Sequence, residues 1–311
     1  MNRPGTDLLT RRLGLGCGRL NGGGDKATSA RLVHTALDLG IRYFDTAPPY
    51  GLGASESVLG DALKGRQEVV AIATKAGLAR PASPRFKQTA RAIVKPLANW
   101  VPGLRHAVLK GMAQHAPAGN FDVGFIAQSF ETSLRQLQTE RVDCLLLHEA
   151  RPHDLLAPLQ ILLERYIAHG LLGTYGSSTG EPMDQLVRFG PVSQYRCPAP
   201  GAEDTPVGPS DVVHGVMRFI APTLGPAMAR DPQLKARLAS LLPTGTDPAS
   251  ATGSLALAYA LARFEGRVLI STHQPQRLTT TLEQVRHITA STEWQPAMSA
   301  LHAAFEPAPV P

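Results

Sequence analysis

Short apolar runs recur along the chain at 13–17, 41–45, 69–74, 144–147, 174–177, 192–194, 212–216 and 268–271. Most show no polar alternation, as expected of strands covered on both faces. Between them lie stretches with apolar residues three and four apart, the spacing of one helical face. These are 28–39, with Thr28 or Ser29 at its N-cap, then 125–137, 155–168, 254–264 and 275–288; a further helix opens at Ser55-Glu56. Strand and helix alternate eight times. This predicts an α/β fold, a (β/α)8 TIM barrel with extended loops at its C-terminal face. The sixth unit is irregular: 197–209 carries Pro198, Pro200, Pro206 and Pro209, so a loop or a very short helix is expected there. No repeat or linker divides the chain, and 1–311 reads as one domain, a length an α/β barrel can fill alone.

Four groups of different chemistry stand at or just past the ends of these runs. The run 41–44 ends in Asp45, and Tyr50 follows in a Pro-Pro-Tyr-Gly turn. VVAIATK ends in Lys75 and VDCLLLH in His148. Taken singly, each has an ordinary explanation: a first solvated charge, a structural imidazole, a turn aromatic. Together they place a carboxylate, a phenol, an ammonium and an imidazole on the face where α/β barrels carry their chemistry.

At these residues the sequence resembles the aldo-keto reductases. GIRYFDTAPPYG is similar to that family's signature around its catalytic Asp and Tyr, TKAG carries the Lys, and DCLLLH fits its strand ending in His. The likeness runs from about Gly14 to Leu282 and covers all four members of the family's tetrad. GLGASESVLGDAL most resembles the branch of sugar 1-dehydrogenases and pyridoxal dehydrogenase. The resemblance implies interconversion of a carbonyl and an alcohol by direct hydride transfer, with Asp45, Tyr50, Lys75 and His148 catalytic. Reduction of a carbonyl needs a proton donor, and a phenol of pKa about 10 is a poor one near neutrality. A neighbouring ammonium lowers that pKa, so Lys75 is expected to act on Tyr50, Asp45 to hold Lys75, and His148 to orient the substrate oxygen.

The resemblance also implies a nicotinamide cofactor. NADP(H) is expected, with NAD(H) the alternative. No Gly-x-Gly-x-x-Gly with a downstream acid is convincing, and LGLGCGRLNGGG is a weak signal by itself. Gly22 and Gly23 follow the first strand, where the family approaches the nicotinamide; a flexible turn is the other reading. Ser178 and Gln194 fall where the family binds the carboxamide, with Thr179 in place of its usual Asn. Ser271 and Thr272 open the segment that grips the ribose phosphate at a helix N-terminus, and Arg277 matches the Arg that meets adenine and the 2′-phosphate. Beyond the seventh strand, HGVMRFIAP replaces the family's Tyr-Ser-Pro-Leu; Phe219 is a substitute ring, Arg218 a pyrophosphate contact, and His214 a packing or loop-ordering residue.

Charge adds one feature. The net charge is +6, yet no acid lies between Glu68 and Asp122, where Lys75, Arg80, Arg85, Lys87, Arg91, Lys95, Arg105 and Lys110 fall. The segment at about 79–121 reads either as a basic lid for an anionic substrate or acidic surface, or as a solvated excursion. Tyr50, Trp100, Phe219 and Trp294 are the rings expected at a substrate pocket, enclosed in part by a long loop at 219–253. Cys17, Cys144 and Cys197 are odd in number and read as buried thiols, and no spacing suggests a metal. MNRPGTDLLTRR lacks a secretory apolar region, no run is long enough to span a bilayer, and no nucleic-acid reader motif occurs, so a cytoplasmic protein acting on a small carbonyl or alcohol is expected. An NAD-dependent sugar or pyridoxal dehydrogenase is the alternative enzyme. A cofactor-sensing, partner-binding subunit with little turnover is the alternative of another class.

Overall fold

The computed structural model describes residues 9, 11–21, 26–81, 119–198, 200–201 and 208–305. Its eight strands are β1 (Leu13–Gly16), β2 (Tyr43–Asp45), β3 (Ala71–Ala76), β4 (Val142–His148), β5 (Leu172–Ser178), β6 (Val192–Arg196), β7 (Val212–His214) and β8 (Arg267–Ile270). Each pairs in parallel with the next, and β8 pairs with β1 to close the barrel. All eight expected strands are present, with ends displaced by at most two residues.

The described helices are α1 (Lys26–Asp38), α2 (Ser55–Leu63), α3 (Val123–Leu137), α4 (Ala157–Ala168), α5 (Val216–Phe219), α6 (Ala221–Arg230), α7 (Pro232–Ser240), α8 (Thr252–Arg263), α9 (Pro275–Thr289) and α10 (Trp294–Ala303). Two expectations are corrected. Thr28 and Ser29 lie inside the first turn of α1, and Ser29 Oγ accepts instead from the Asn21 amide at 2.8 Å. The 219–253 stretch is not a loop but largely α6 and α7. Its prolines hid the pattern: Pro222 and Pro232 sit in first turns, where the missing N–H costs nothing, and Asp231 caps α7 by accepting from Gln233 and Leu234. Between β6 and β7 no helix occurs among the described residues. No described helix is long and apolar enough to cross a membrane.

Side chains alternate along each strand, and this positions the site. The core inside the barrel is Tyr43, Ala73, Cys144, Leu146, Val192, Val212 and Leu269. Residues of a strand two apart share a face. Two places beyond Tyr43, Ala73, Leu146, Val192, Val212 and Leu269 stand Asp45, Lys75, His148, Gln194, His214 and Ser271. The apolar floor therefore gives way to a polar layer at the C-terminal mouth. A larger cluster packs the outer strand faces against the helices.

Gly60 marks a close contact between α2 and α3. A Cβ there would lie 2.7 Å from the carbonyl oxygens of Gln136 and Leu137 at the end of α3. Replacing Gly60 by Ala is expected to destabilise the fold by about 1–3 kcal/mol through overpacking, read as a lower midpoint in urea denaturation.

Candidate active site

Lys75 and Asp45 form an ion pair inside the barrel mouth. Lys75 Nζ donates to Asp45 Oδ1 at 2.6 Å and to the Thr46 carbonyl at 3.1 Å, with the lysine 1% and the aspartate 3% exposed. Burial pulls the Lys75 pKa down, but Asp45 and Tyr50 outweigh it and hold the ammonium above its usual range. The ammonium lies over the Tyr50 ring, 5.0 Å from its centroid. Burial raises the Tyr50 pKa and Lys75 opposes it; the net direction is upward. Lys75 thus acts on Tyr50 in the expected direction but offsets only part of the desolvation.

Tyr50 stands at the start of a short turn (Tyr50–Gly53) with left-handed backbone at Gly51 (φ 58°) and Leu52 (φ 62°). A non-glycine residue there costs roughly 1–3 kcal/mol and persists only where the surroundings impose it. The constraint comes from α2 and the segment after β3. Ser55 Oγ donates to the Cys17 carbonyl at 2.8 Å, and Arg80 donates to the Gly53 carbonyl at 2.7 Å. Arg80 is also paired with Glu56, a fully buried carboxylate that accepts from Thr74 Oγ1 at 2.6 Å. This brace was missed in the sequence reading. Its signal was there, since Glu56 falls three places before Leu59 on the apolar face of α2.

The His148 ring meets Tyr50 edge to face, with centroids 5.9 Å apart and planes at 88°. Burial lowers the His148 pKa to about 3, with Lys75 and His214 contributing, so the ring is neutral. Its Nδ1 is buried and finds no partner among the described residues. Glu149, next in the chain, adopts a left-handed backbone (φ 60°). Its carboxylate accepts from Thr179 Oγ1 at 2.8 Å and from the Gly180 amide at 2.6 Å. Thr179 thus bonds to Glu149, a role that residue identity alone did not suggest. A His214 ring nitrogen bonds the Thr179 carbonyl at 2.9 Å, which agrees with a loop-ordering role.

Ser178 and Gln194 are paired across β5 and β6 and join this cluster. Ser178 Oγ donates to Gln194 Oε1 at 2.7 Å, and Gln194 Nε2 donates to Asp45 Oδ1 at 2.8 Å. The other residues expected at a cofactor lie apart from this network. Ser271 directly follows β8 beside β1, where a Cβ on Gly16 would collide with its hydroxyl. Thr272 Oγ1 accepts from the Gln274 amide at 3.2 Å, just before α9. Arg277 is exposed in the first turn of α9, which has no acidic residue. Arg218 lies over Phe219 at 5.2 Å, and Arg196, unforeseen, lies over the same ring at 4.6 Å. Trp294 is not at the mouth: it packs in the helical layer and donates to the Ala258 carbonyl at 3.2 Å. Gly22, Gly23, Trp100 and most of the basic 79–121 segment lie outside the described residues.

The neutral His148 has a consequence for stability. Its folded pKa of about 3 lies below the ordinary 6.5, so the unfolded chain binds more protons between these values. Stability from the neutral ring is complete above about pH 6.5 and is lost as pH falls toward 3, by up to about 1.4 kcal/mol per pH unit for one proton. Urea denaturation from pH 7 to 4 is expected to show a shallower loss for His148→Gln than for the unsubstituted protein. The His148 ring should show no NMR titration between pH 5 and 8; a midpoint in that range would mean that the ring is solvated.

A curated aldo-keto reductase of Bacillus subtilis is 29% identical over 205 residues, 62% of this chain and 51% of that protein. A D-threo-aldose 1-dehydrogenase of a Pseudomonas species is 34% identical over 165 residues, 50% of this chain and 46% of its own. The matched region thus spans about half the length of these curated relatives. Among solved structures, an aldo-keto reductase from Bacillus halodurans aligns with a TM-score of 0.62 at 20% identity, covering 96% of this chain and 94% of that one. One from Klebsiella pneumoniae, solved with NADPH, aligns with a TM-score of 0.61 at 16% identity, covering 96% and 92%. At these identities the structural likeness is one of fold. The model of the Aldo/keto reductase family matches residues 12–193, a span that takes in β1 to β5, the start of β6 and all four of Asp45, Tyr50, Lys75 and His148. By that match, over more than half of its length, the chain belongs to the aldo/keto reductase family.

Proposed function

We propose that this protein is an NAD(P)H-dependent oxidoreductase that interconverts a carbonyl and an alcohol, with Tyr50 as the general acid and base. The observation that carries the reading is the convergence of Tyr50 and His148, edge to face, beside an ammonium fixed by a buried carboxylate. Tyr50 keeps its proton at neutral pH, as a donor to a nascent alkoxide must. The neutral His148 ring can donate a hydrogen bond without giving up a proton, which suits it to orient a carbonyl oxygen. Lys75 stabilises the phenolate left behind, and Asp45 keeps Lys75 in place. In the oxidative direction the phenolate takes the alcohol proton.

The residues present fit a nicotinamide dinucleotide. Ser178 and Gln194 offer amide and hydroxyl groups beside the tetrad. At the other end, α9 opens without an acidic residue, and Arg277 in its first turn is exposed for an anion. Arg218 adds a second cation over Phe219. The cofactor supplies the hydride when bound; the chain holds the substrate and handles the proton. NADP(H) is preferred because a guanidinium at Arg277 suits a 2′-phosphate. Small aldehydes, ketones or sugar-like carbonyls are the substrates, anionic ones if the basic segment serves as a lid. One observation favours the dehydrogenase reading: a 75-residue stretch is 43% identical to a pyridoxal 4-dehydrogenase of Microbacterium luteolum. The chain acts as one barrel domain, and its three buried free thiols support a cytoplasmic setting.

Two measurements test this. Tyr50→Phe should lower reduction of glyceraldehyde or pyridoxal by NADPH about 10²–10⁴-fold while leaving NADPH affinity, followed by nucleotide fluorescence, within a few-fold. Turnover that survives this change would refute the mechanism, and binding without turnover in the unsubstituted protein would favour a cofactor-sensing role. Arg277→Met should weaken NADPH about tenfold or more and NADH little; equal effects on both would remove Arg277 from the 2′-phosphate.

A further inference from the structure

Ser178, Gln194, Asp45 and Lys75 form one unbroken chain of hydrogen bonds, 2.7, 2.8 and 2.6 Å long in that order. All four residues are buried, none more than 3% exposed. The polarity of the chain follows from charge alone. An ionised carboxylate only accepts, so the amide nitrogen of Gln194 must face Asp45. Its oxygen then faces Ser178, whose hydroxyl has to donate. Both Gln194 Nε2 and Lys75 Nζ converge on the same atom, Asp45 Oδ1.

We propose that Gln194 is a positioning residue for proton transfer: by donating to Asp45 it limits how far the carboxylate cancels Lys75, and so sets the acidity of Tyr50. The proposal rests on the reading of Tyr50 as the acid and base, and it gives Gln194 a task that does not require a cofactor. The groups facing Tyr50 are Lys75, Asp45, His148 and Glu149. Around Asp45 stand Cys17, Tyr43, Cys144 and His214 as well. Burial keeps the two thiols and Tyr43 protonated, and it lowers the pKa values of both imidazoles, keeping them neutral above pH 7. The charges acting on Tyr50 there are therefore those of Lys75, Asp45 and Glu149. Removing the positive end of the Gln194 amide dipole makes the surroundings of Tyr50 more negative, and the phenol should then hold its proton more tightly.

The test is the pH dependence of alcohol oxidation by saturating NADP⁺, with glycerol and pyridoxine as the probes. Oxidation needs the phenolate, so log kcat rises with pH and levels off at the pKa of Tyr50 in the ternary complex. Gln194→Met, which keeps the length and removes the donor, should move that break upward by about half to one pH unit. Ser178→Ala, which leaves the amide on Asp45 but removes its polarising partner, should move it the same way by less, and serves if the first variant does not fold. A purely cofactor-binding role would raise the KM for NADP⁺ and leave the break in place; an unmoved break in both variants overturns the proposal. Turnover of neither alcohol by the unsubstituted protein would instead overturn the oxidoreductase reading beneath it.

Discussion

The burial of one ammonium inside a barrel organises much of what surrounds it. Removing a charge from water is unfavourable by several kcal/mol unless partners replace the lost hydration. Lys75 receives the Asp45 carboxylate and the Thr46 carbonyl, and Asp45 in turn receives Gln194. Asp45 and Thr46 stand together at the end of β2, Lys75 lies on β3 and Gln194 on β6, so the hydrogen-bonded chain is complete only when these three strands are in register. The fold thus determines the chemistry, and the charge pair penalises any register that would leave it incomplete.

A second carboxylate, Glu56, supports the same region from outside the strands. It lies against Thr74, one place before Lys75, and is paired with Arg80, which also holds the turn following Tyr50. The phenol and the ammonium are therefore tied to one brace. At the neighbouring ends of β4 and β5, Glu149 holds Thr179 and Gly180, the residues just after Ser178. Two non-glycine residues with left-handed backbone, Leu52 and Glu149, lie two and one residues beyond Tyr50 and His148. Strain at such positions is characteristic of sites whose side chains must be aimed.

The strands and the four side chains that cluster at the mouth were legible in the sequence because each rests on a local pattern. An apolar run of four to seven residues closed by a polar one reads as a buried strand meeting the mouth, and Asp45, Lys75 and His148 each close such a run. The helices at 219–253 were not legible, because Pro222, Pro226 and Pro232 mimic loop punctuation while two of them in fact sit in first turns. Trp294 was misplaced for a related reason: an aromatic near the end of a chain carries no signal of which layer it joins. The link from Gln194 to Asp45 spans 149 positions and depends on barrel closure, which no window of sequence contains. Arg196 over Phe219 is similar, a contact between β6 and α5 that follows only from their adjacency in space.

Two thiols flank the ion pair. Cys17 and Cys144 both feel the charges of Lys75 and Asp45, and burial pushes their pKa values up, that of Cys144 to about 12. Thiolate is the form that peroxide and alkylating agents attack, so neither sulfur is an easy target at physiological pH. The protection matters because of what oxidation would leave behind. A sulfinate at either position would be a permanent second anion beside Lys75, competing with Asp45 for the ammonium. Sulfur thus sits beside Lys75 yet stays protonated, so the burial that encloses the ion pair also shields the centre from oxidants.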